Sequence, residues 1–290
     1  MRKVAFSHFR RNPAFAIEKR SRFLAKIYRA ADFGSFLSDF IADPAGSIRP
    51  YLPAILNPKP QHTGPLVSVI VATRNNEGTI ERSVCSLLNQ TYRNLEIIVV
   101  DDASNDRSVD VIKALSESDN RIELRQNFTR FGTGRSRNIG LDLAKGQYIT
   151  FQDGDDISLP TRVQIQLSAL TGNPQKKFCL CNYVRVDDAD QTLEVNNKRV
   201  MKCIISIMFP RSVVSDVGGF SDSSISEDSD YYERIKAVYG KATEVIAFQT
   251  LYRALYRPDS SFFSKMENLS FDGRRITYHN PLIPDGKLRK

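Results

Sequence analysis

The 290-residue chain carries 41 Lys and Arg against 33 Asp and Glu, a formal charge of +8, with 41% hydrophobic and 10% aromatic residues. That balance excludes wholesale disorder and suits one large α/β core with appendages. No apolar run approaches bilayer-spanning length, and the opening Met1-Arg2-Lys3-Val4-Ala5-Phe6 lacks the long apolar stretch of a secretory signal. Residues 1–64 hold eleven Lys or Arg against four acids, +7 of the +8 total, so the basic character belongs to an extension. Phe15, Phe23, Leu24, Ile27 and Tyr28 recur at helical spacing and predict an amphipathic helix from Pro13 to Arg29. Docking on the rest of the chain is favoured slightly over contact with anionic lipid through residues 1–31. A nucleic-acid arm ranks last. Residues 55–64 read as a linker.

Pro65 to Thr73 is a strand run, followed by the polar loop Arg74-Asn75-Asn76-Glu77-Gly78; Ile80, Val84, Leu87 and Leu88 then recur at helical spacing. A second strand, Leu95 to Val100, ends in Asp101-Asp102 and the turn Ala103-Ser104-Asn105. Val109, Ile112 and Leu115 mark a second helix. A shorter strand at Ile122 to Leu124 leads to the segment Gly132 to Gly140, which opens a helix reaching about Ala144. Gln147 to Gln152 reads as a buried strand running into Asp153-Gly154-Asp155-Asp156. Three carboxylates at one exit repel unless a cation or a ligand's donors sit among them. Gly154 lets a ligand approach the backbone, so the exit suits a hard divalent cation carrying phosphate oxygens. The plainer reading of Asp156 is a helix N-cap, with Pro160 opening the next helix. Strand–helix alternation predicts a mostly parallel sheet flanked by helices. Ligands sit beyond the carboxyl ends of such strands, where Thr73, Asp102 and Asp153 fall.

Val163, Leu167 and Leu170 mark a helix after Pro160. Strands are expected at 178–186 and 204–209, around the polar excursion 187–198, and at 245–248 and 251–256. Ser226-Glu227-Asp228-Ser229-Asp230 precedes Tyr231, Tyr232, Ile235 and Val238 at helical spacing. By itself this is an acidic first turn favoured by the helix dipole, with Ser226 as cap and Arg234 placed to pair with one of the acids. The segment from Phe271 is basic and turn-rich, a lid or a disordered tail. Cys85, Cys179, Cys181 and Cys203 show neither a paired framework nor zinc spacing, so reduced thiols and a cytoplasmic setting are expected, with Cys179 and Cys181 as core packing. His8, His62 and His279 are scattered and expected at the surface.

The segments VSVIVATRNN (67–76), SLLNQTYRNLEIIVVDDASND (86–106), GRSRNIGLDLAKGQYITFQDGDD (134–156) and GGFSDSSISEDSDYYERI (218–235) resemble, in order, the signatures of the family 2 glycosyltransferases. The resemblance covers about residues 65–257 and implies the GT-A (Rossmann-like) α/β fold, a nucleotide-sugar donor and Mn²⁺ or Mg²⁺. It implies that Thr73, Asn75 and Glu77 line the nucleobase pocket and that Asp102 hydrogen-bonds the uracil or ribose edge. Arg137 and Asn138 would sit beside the diphosphate. Asp153 would hold the ribose or sugar side and share the metal with Asp155. Asp228 would be the catalytic base, with Glu227 and Asp230 supporting the loop or binding acceptor. Carboxylates accept from imide N–H and ribose hydroxyls, a metal neutralises a departing diphosphate, and a base must take the acceptor's proton. One departure stands out: many members carry a histidine after the Tyr-Arg pair beyond the base helix, and residues 251–260 have none. His279 or water would take its place.

The expected whole is an inverting, metal-dependent transferase moving a sugar from a UDP-sugar to a glycan or lipid-linked acceptor. The expected setting is bacterial-type surface polysaccharide synthesis, cytoplasmic or peripheral at the inner membrane face. Residues 1–64 form the extension, 65–156 the nucleotide half, 157–257 the acceptor half and 258–290 the tail. The alternatives are a catalytically silent nucleotide-sugar or glycan-binding scaffold and, more weakly, a nucleotidyltransferase.

Overall fold

The computed structural model describes residues 60–221, 226–260 and 262–281. The helix expected over residues 13–29, the lipid contact through residues 1–31 and the end of the tail lie outside them.

Four strands come first: β1 (Val67–Thr73), β2 (Leu95–Asp101), β3 (Ile122–Gln126) and β4 (Tyr148–Asp153). They pair parallel in the order β4-β1-β2-β3. β1 is buried along its whole length; a parallel strand is covered on both faces, so its apolar run is continuous and does not alternate. The covers are α1 (Ile80–Leu88), α2 (Ser108–Ser118) and α3 (Thr133–Leu143). α1 turns Ile80, Val84 and Leu87 inward. A Cβ at Gly140 would lie 2.4 Å from Ile70 Cγ2, so glycine is what lets α3 lie against β1. Each buried Val or Ile contributes roughly 1.5–3 kcal/mol, and together they fix the strand exits.

At β4 the sheet changes character. Its other neighbour, β8 (Met201–Pro210), runs antiparallel to it, and β6 (Phe178–Val186) runs antiparallel to β8. β9 (Glu244–Leu255) pairs parallel with β6 and antiparallel with the short β5 (Ile157–Ser158). The sheet is therefore mixed: the parallel arrangement holds for β1–β4 and gives way beyond. α4 (Arg162–Thr171), α5 (Ser212–Val217) and α6 (Glu227–Tyr239) complete the covering layers.

Three differences from the sequence reading have local causes. The runs at 245–248 and 251–256 are one strand, because β9 carries Phe248 and Gln249 as a bulge between Ala247 and Thr250. Asn182 Nδ2 stitches the bulge by donating to Phe248 O at 3.0 Å. The polar excursion contains β7 (Thr192–Val195), which buries Leu193 and Val195. Up to residue 281 the tail is a hairpin of β10 (Glu267–Phe271) and β11 (Arg275–His279), with β11 paired to β7. Ile276 anchors it against Leu193, Val195 and Phe263. Its turn rests on Gly273 at φ +89° and on Asp272, whose carboxylate accepts the N–H groups of Arg274 (2.9 Å) and Arg275 (2.7 Å).

Cys179, Cys181 and Cys203 are buried free thiols, and burial pushes Cys181 up to about 11. Among the described residues no helix is long and apolar enough to cross a membrane.

Candidate active site

The strand register places three expected residues on one edge. Thr73 lies opposite Asp101 and Ala72 opposite Asp153, so β1, β2 and β4 end nearly flush. Asp102 follows at once, its N–H donating to Thr73 O at 2.8 Å. The loops leaving these ends are laced together. Asn75, at φ 52°, donates its N–H to Ser104 Oγ (2.9 Å) and accepts from Asn105 N (3.0 Å). Glu77 donates its N–H to Asp106 (3.0 Å), and its carboxylate accepts from Arg107 N (3.0 Å). Both residues therefore hold the facing loop in place, and shape the crevice by doing so.

Asp102 is committed in the same way. Its oxygens accept the N–H groups of Phe131 (2.7 Å) and Gly132 (2.8 Å), with Asn127 Nδ2 at 3.2 Å. It ties down the loop entering α3, with two donors on Oδ1 and one on Oδ2 of a carboxylate that can accept about four. Asn138, on α3, is likewise held by the chain. Its Nδ2 donates to Phe220 O (2.9 Å) and its Oδ1 accepts from Phe220 N (2.7 Å). Both ends of the amide are engaged by that backbone, which holds the segment before α6 against α3.

Beyond β4, carboxylates crowd together. Arg137, on α3 and 3% exposed, donates to Asp153 Oδ1 and to Glu227 Oε1, each at 2.8 Å. One buried guanidinium thus ties the β4 exit to the start of α6. Burial pulls Arg137 down, but Asp153, Glu227 and Asp228 outweigh it and hold the group above its ordinary value. Asp228, half-buried, accepts from Ser229 N at 2.8 Å. Burial pushes its carboxyl up, Arg137 pulls it back and Glu227 adds to the rise. Such a carboxylate is a stronger base than an exposed one. Ser226 makes no side-chain cap bond: its backbone is left-handed (φ 56°), outside the extended geometry of an N-cap.

Asp155 faces a second cation, with Oδ2 3.5 Å from Arg257 Nη1. The same nitrogen donates to Asn76 Oδ1 at 2.5 Å. Burial and the neighbouring Asp153 push the Asp155 carboxyl up. Gly154 is required by the chain itself, since a Cβ there would lie 2.4 Å from Thr73 Oγ1. Asp156 is not a helix cap: α4 begins only at Arg162, and Asp156 Oδ1 accepts from Leu255 N at 2.9 Å where β5 meets β9. Burial, with Asp155 and Asp153, holds its carboxyl well above the ordinary range.

Arg257 and Arg185 were missed in the sequence reading. Arg185 interrupts the apolar run of β6, donates to Leu255 O at 3.1 Å and lies over the rings of Tyr183 (5.4 Å) and Phe263 (5.2 Å). Burial pulls it down, but Tyr183, Asp156 and Asp155 hold it above its ordinary value. The available signal was a basic residue inside an apolar strand, which demands an acidic partner. Asp230 stands apart, paired at 2.9 Å with Arg234, the partner expected for one of these acids. His279 ends β11, and β7, β6 and β8 separate β11 from β4 in the sheet order. Among the described residues it joins no group of three or more His, Cys, Asp or Glu that could hold an ion.

Asp153 and Asp155 offer hard oxygen donors, and the raised Asp155 marks charge not fully compensated. That fits Mg²⁺ or Mn²⁺ held by one or two carboxylates, with water and phosphate oxygens in the other positions. Among the described residues no group of three or more His, Cys, Asp or Glu is arranged to hold an ion alone.

The family described as glycosyl transferase family 2 matches residues 68–221, just over half of the chain. WfgD of Escherichia coli, named a UDP-Glc:alpha-D-GlcNAc-diphosphoundecaprenol beta-1,3-glucosyltransferase, is 41% identical over 108 residues, 37% of this chain and 42% of WfgD. The chain spans between 34% and 44% of the length of the first curated relatives it matches. Solved structures of similar fold include S. aureus TarS in complex with UDP-GlcNAc, at a TM-score of 0.57 and 21% identity, over 68% of this chain and 60% of that one. Another is the mannosyltransferase PcManGT from Pyrobaculum calidifontis with GDP-Man and Mn²⁺, at 0.53 and 19%, over 68% and 58%.

Proposed function

From the premise that the chain belongs to glycosyltransferase family 2 and has the GT-A fold, we propose that it transfers a sugar from a UDP-sugar to a glycan or lipid-linked hydroxyl, with inversion. The observation that carries this reading is the Arg137 bridge. It joins Asp153 at the β4 exit to Glu227 and so sets Asp228 beside the edge where ligands of such sheets bind.

Thr73 and the laced loops after β1 and β2 flank the nucleobase, and the diphosphate lies against the β4 exit. Asp153 and Asp155 would hold Mn²⁺ or Mg²⁺, which neutralises charge on the departing diphosphate when bound. Arg257, in reach of Asp155 and Asn76, brings further positive charge to that side. Asp228 takes the acceptor's proton as the acceptor oxygen attacks the anomeric carbon opposite the diphosphate. A carbon–oxygen bond forms on one face while the bond to the diphosphate breaks on the other, and no enzyme nucleophile is needed. WfgD's lipid-diphosphate acceptor supports a role in surface polysaccharide synthesis at the inner membrane face. The UDP-GlcNAc and GDP-Man complexes of the fold neighbours support a nucleotide-sugar donor.

The test is a nucleotide-sugar panel read by UDP or GDP release, with wild type and Asp228→Asn side by side. The expected result is sugar transfer by wild type and its loss in Asp228→Asn, with UDP binding retained. Transfer by Asp228→Asn at the wild-type rate contradicts the base assignment. UDP binding without turnover of any donor points to the silent scaffold, and pyrophosphate release to a nucleotidyltransferase.

A further inference from the structure

Residues 127–132 carry β3 into α3, and the surface there is apolar and basic at once. Phe128 is 93% exposed and Phe131 44%. Arg125, Arg130 and Arg135 are exposed around them. Arg135 lies 4.7 Å over the Phe131 ring, and none of the three pairs with a carboxylate among the described residues. The rings are not out through looseness. Asp102 grips Phe131 N and Gly132 N, and Asn127, 5% exposed, donates its N–H to Asp101 O at 2.8 Å. A buried anchor therefore holds outward two rings that burial would otherwise draw inside. The loop leaves the carboxyl end of β3, whose last residue, Gln126, lies opposite Asp101. It therefore shares its edge of the sheet with Thr73 and Asp153.

We propose that this tip, residues 125–135, docks on an anionic bilayer surface. Phe128 and Phe131 enter the boundary between headgroups and acyl chains, and Arg125, Arg130 and Arg135 meet the lipid phosphates. Charge complementarity selects this occupant: apolar rings set among guanidinium groups without acid partners match a surface that is anionic outside and apolar beneath. Nucleobase stacking is the competing use of such rings, but a ring 93% exposed stands clear of any wall. Docking here turns the crevice edge toward the membrane, where a lipid-linked acceptor presents its sugar. That consequence rests on the proposed acceptor class, whereas the contact itself needs no turnover.

The chain contains no tryptophan, so Phe128→Trp in the full-length protein gives a single reporter. The probes are phosphatidylcholine vesicles with and without phosphatidylglycerol. With the anionic vesicles alone, the reporter's emission is expected to shift to the blue and to be quenched by brominated acyl chains. Sedimentation with those vesicles is expected to weaken about tenfold in Phe128→Ser and about fivefold in Arg130→Ser, and to fall with added salt. UDP affinity is expected to stay unchanged in both variants. Sedimentation with the reporter still in water would assign binding to another part of the chain and overturn the proposal. So would the absence of sedimentation at low salt, or a loss of UDP affinity in Phe128→Ser. Donor turnover with a short soluble acceptor, measured separately, distinguishes failure of this contact from failure of the transferase reading.

Discussion

The exits of β2 and β4 begin alike, each an apolar strand running into aspartates, and they do different work. At β2, Asp101 accepts the N–H of Ser104 at 3.0 Å as well as its hydroxyl, and Asp102 accepts from Phe131 N and Gly132 N. Those donors are neutral, mostly backbone groups, joined by the Ser104 hydroxyl and the Asn127 amide, so the chain itself partners both carboxylates. At β4 the partners are guanidinium groups from distant segments, Arg137 on Asp153 and Arg257 at 3.5 Å from Asp155. Asp155 stays raised by burial and by Asp153. Two acidic strand ends that look alike in sequence thus differ in the charge of the groups that meet their oxygens.

The largest effect expected is on catalysis. Asp228→Asn should lower the transfer rate by roughly 10²–10⁴-fold, the range for a positioned base. A base works only when ionised, so the raised Asp228 carboxyl moves the acid limb of the wild-type pH–rate profile above the ordinary aspartate range. Residual activity in the variant should lack that limb, and its persistence would assign it to another group.

Next comes the bridge on which the β4 side depends. Arg137→Met leaves Asp153 and Glu227 without their shared cation, and urea unfolding should show a loss of about 3–5 kcal/mol. Unchanged stability would mean that the bridge does not couple β4 to α6.

Asp156 sharpens the contrast within the β4 exit. Asp156→Ala leaves Leu255 N–H buried without an acceptor, a cost of roughly 1–3 kcal/mol, whereas Asp156→Asn keeps the acceptor. The folded carboxyl is raised, so its stabilising contribution is present in acid and lost as pH rises from the unfolded toward the folded pKa. Asp156→Asn should therefore match or exceed wild type at neutral pH and lose that advantage in acid. Denaturant titrations at both pH values check it.

The smallest change tests the β2 side. Asp102→Asn removes one of two acceptors and should cost about 1 kcal/mol while leaving UDP affinity as it was. A collapse of UDP affinity would make the β2 exit a ligand site as well and break the comparison.

What could be read in the sequence follows the range of the interactions. β6 was expected at 178–186 and spans Phe178–Val186, because a buried strand writes its pattern into adjacent residues. The aspartates after Gln152 stood out because charge at a buried exit is conspicuous in one dimension. What filled their oxygens did not stand out. Asp102 and Phe131 are 29 residues apart, Asn138 and Phe220 82, Asp156 and Leu255 99, and Arg257 and Asn76 181. Pairings at such separations leave no periodic trace, which is why Asp156 reads as a helix cap in the sequence and is a strand-junction acceptor in the structure. The hairpin turn at Asp272-Gly273 was a local signal, visible between Phe271 and Ile276 and outweighed by the basic character of the tail.

The most direct test of the contrast is a calorimetric titration of UDP into wild type, Asp155→Ala and Asp102→Asn, each with and without Mn²⁺. The expected result is that Mn²⁺ strengthens UDP binding in wild type and Asp102→Asn but not in Asp155→Ala. Equal, Mn²⁺-independent affinity in wild type and Asp155→Ala would contradict it.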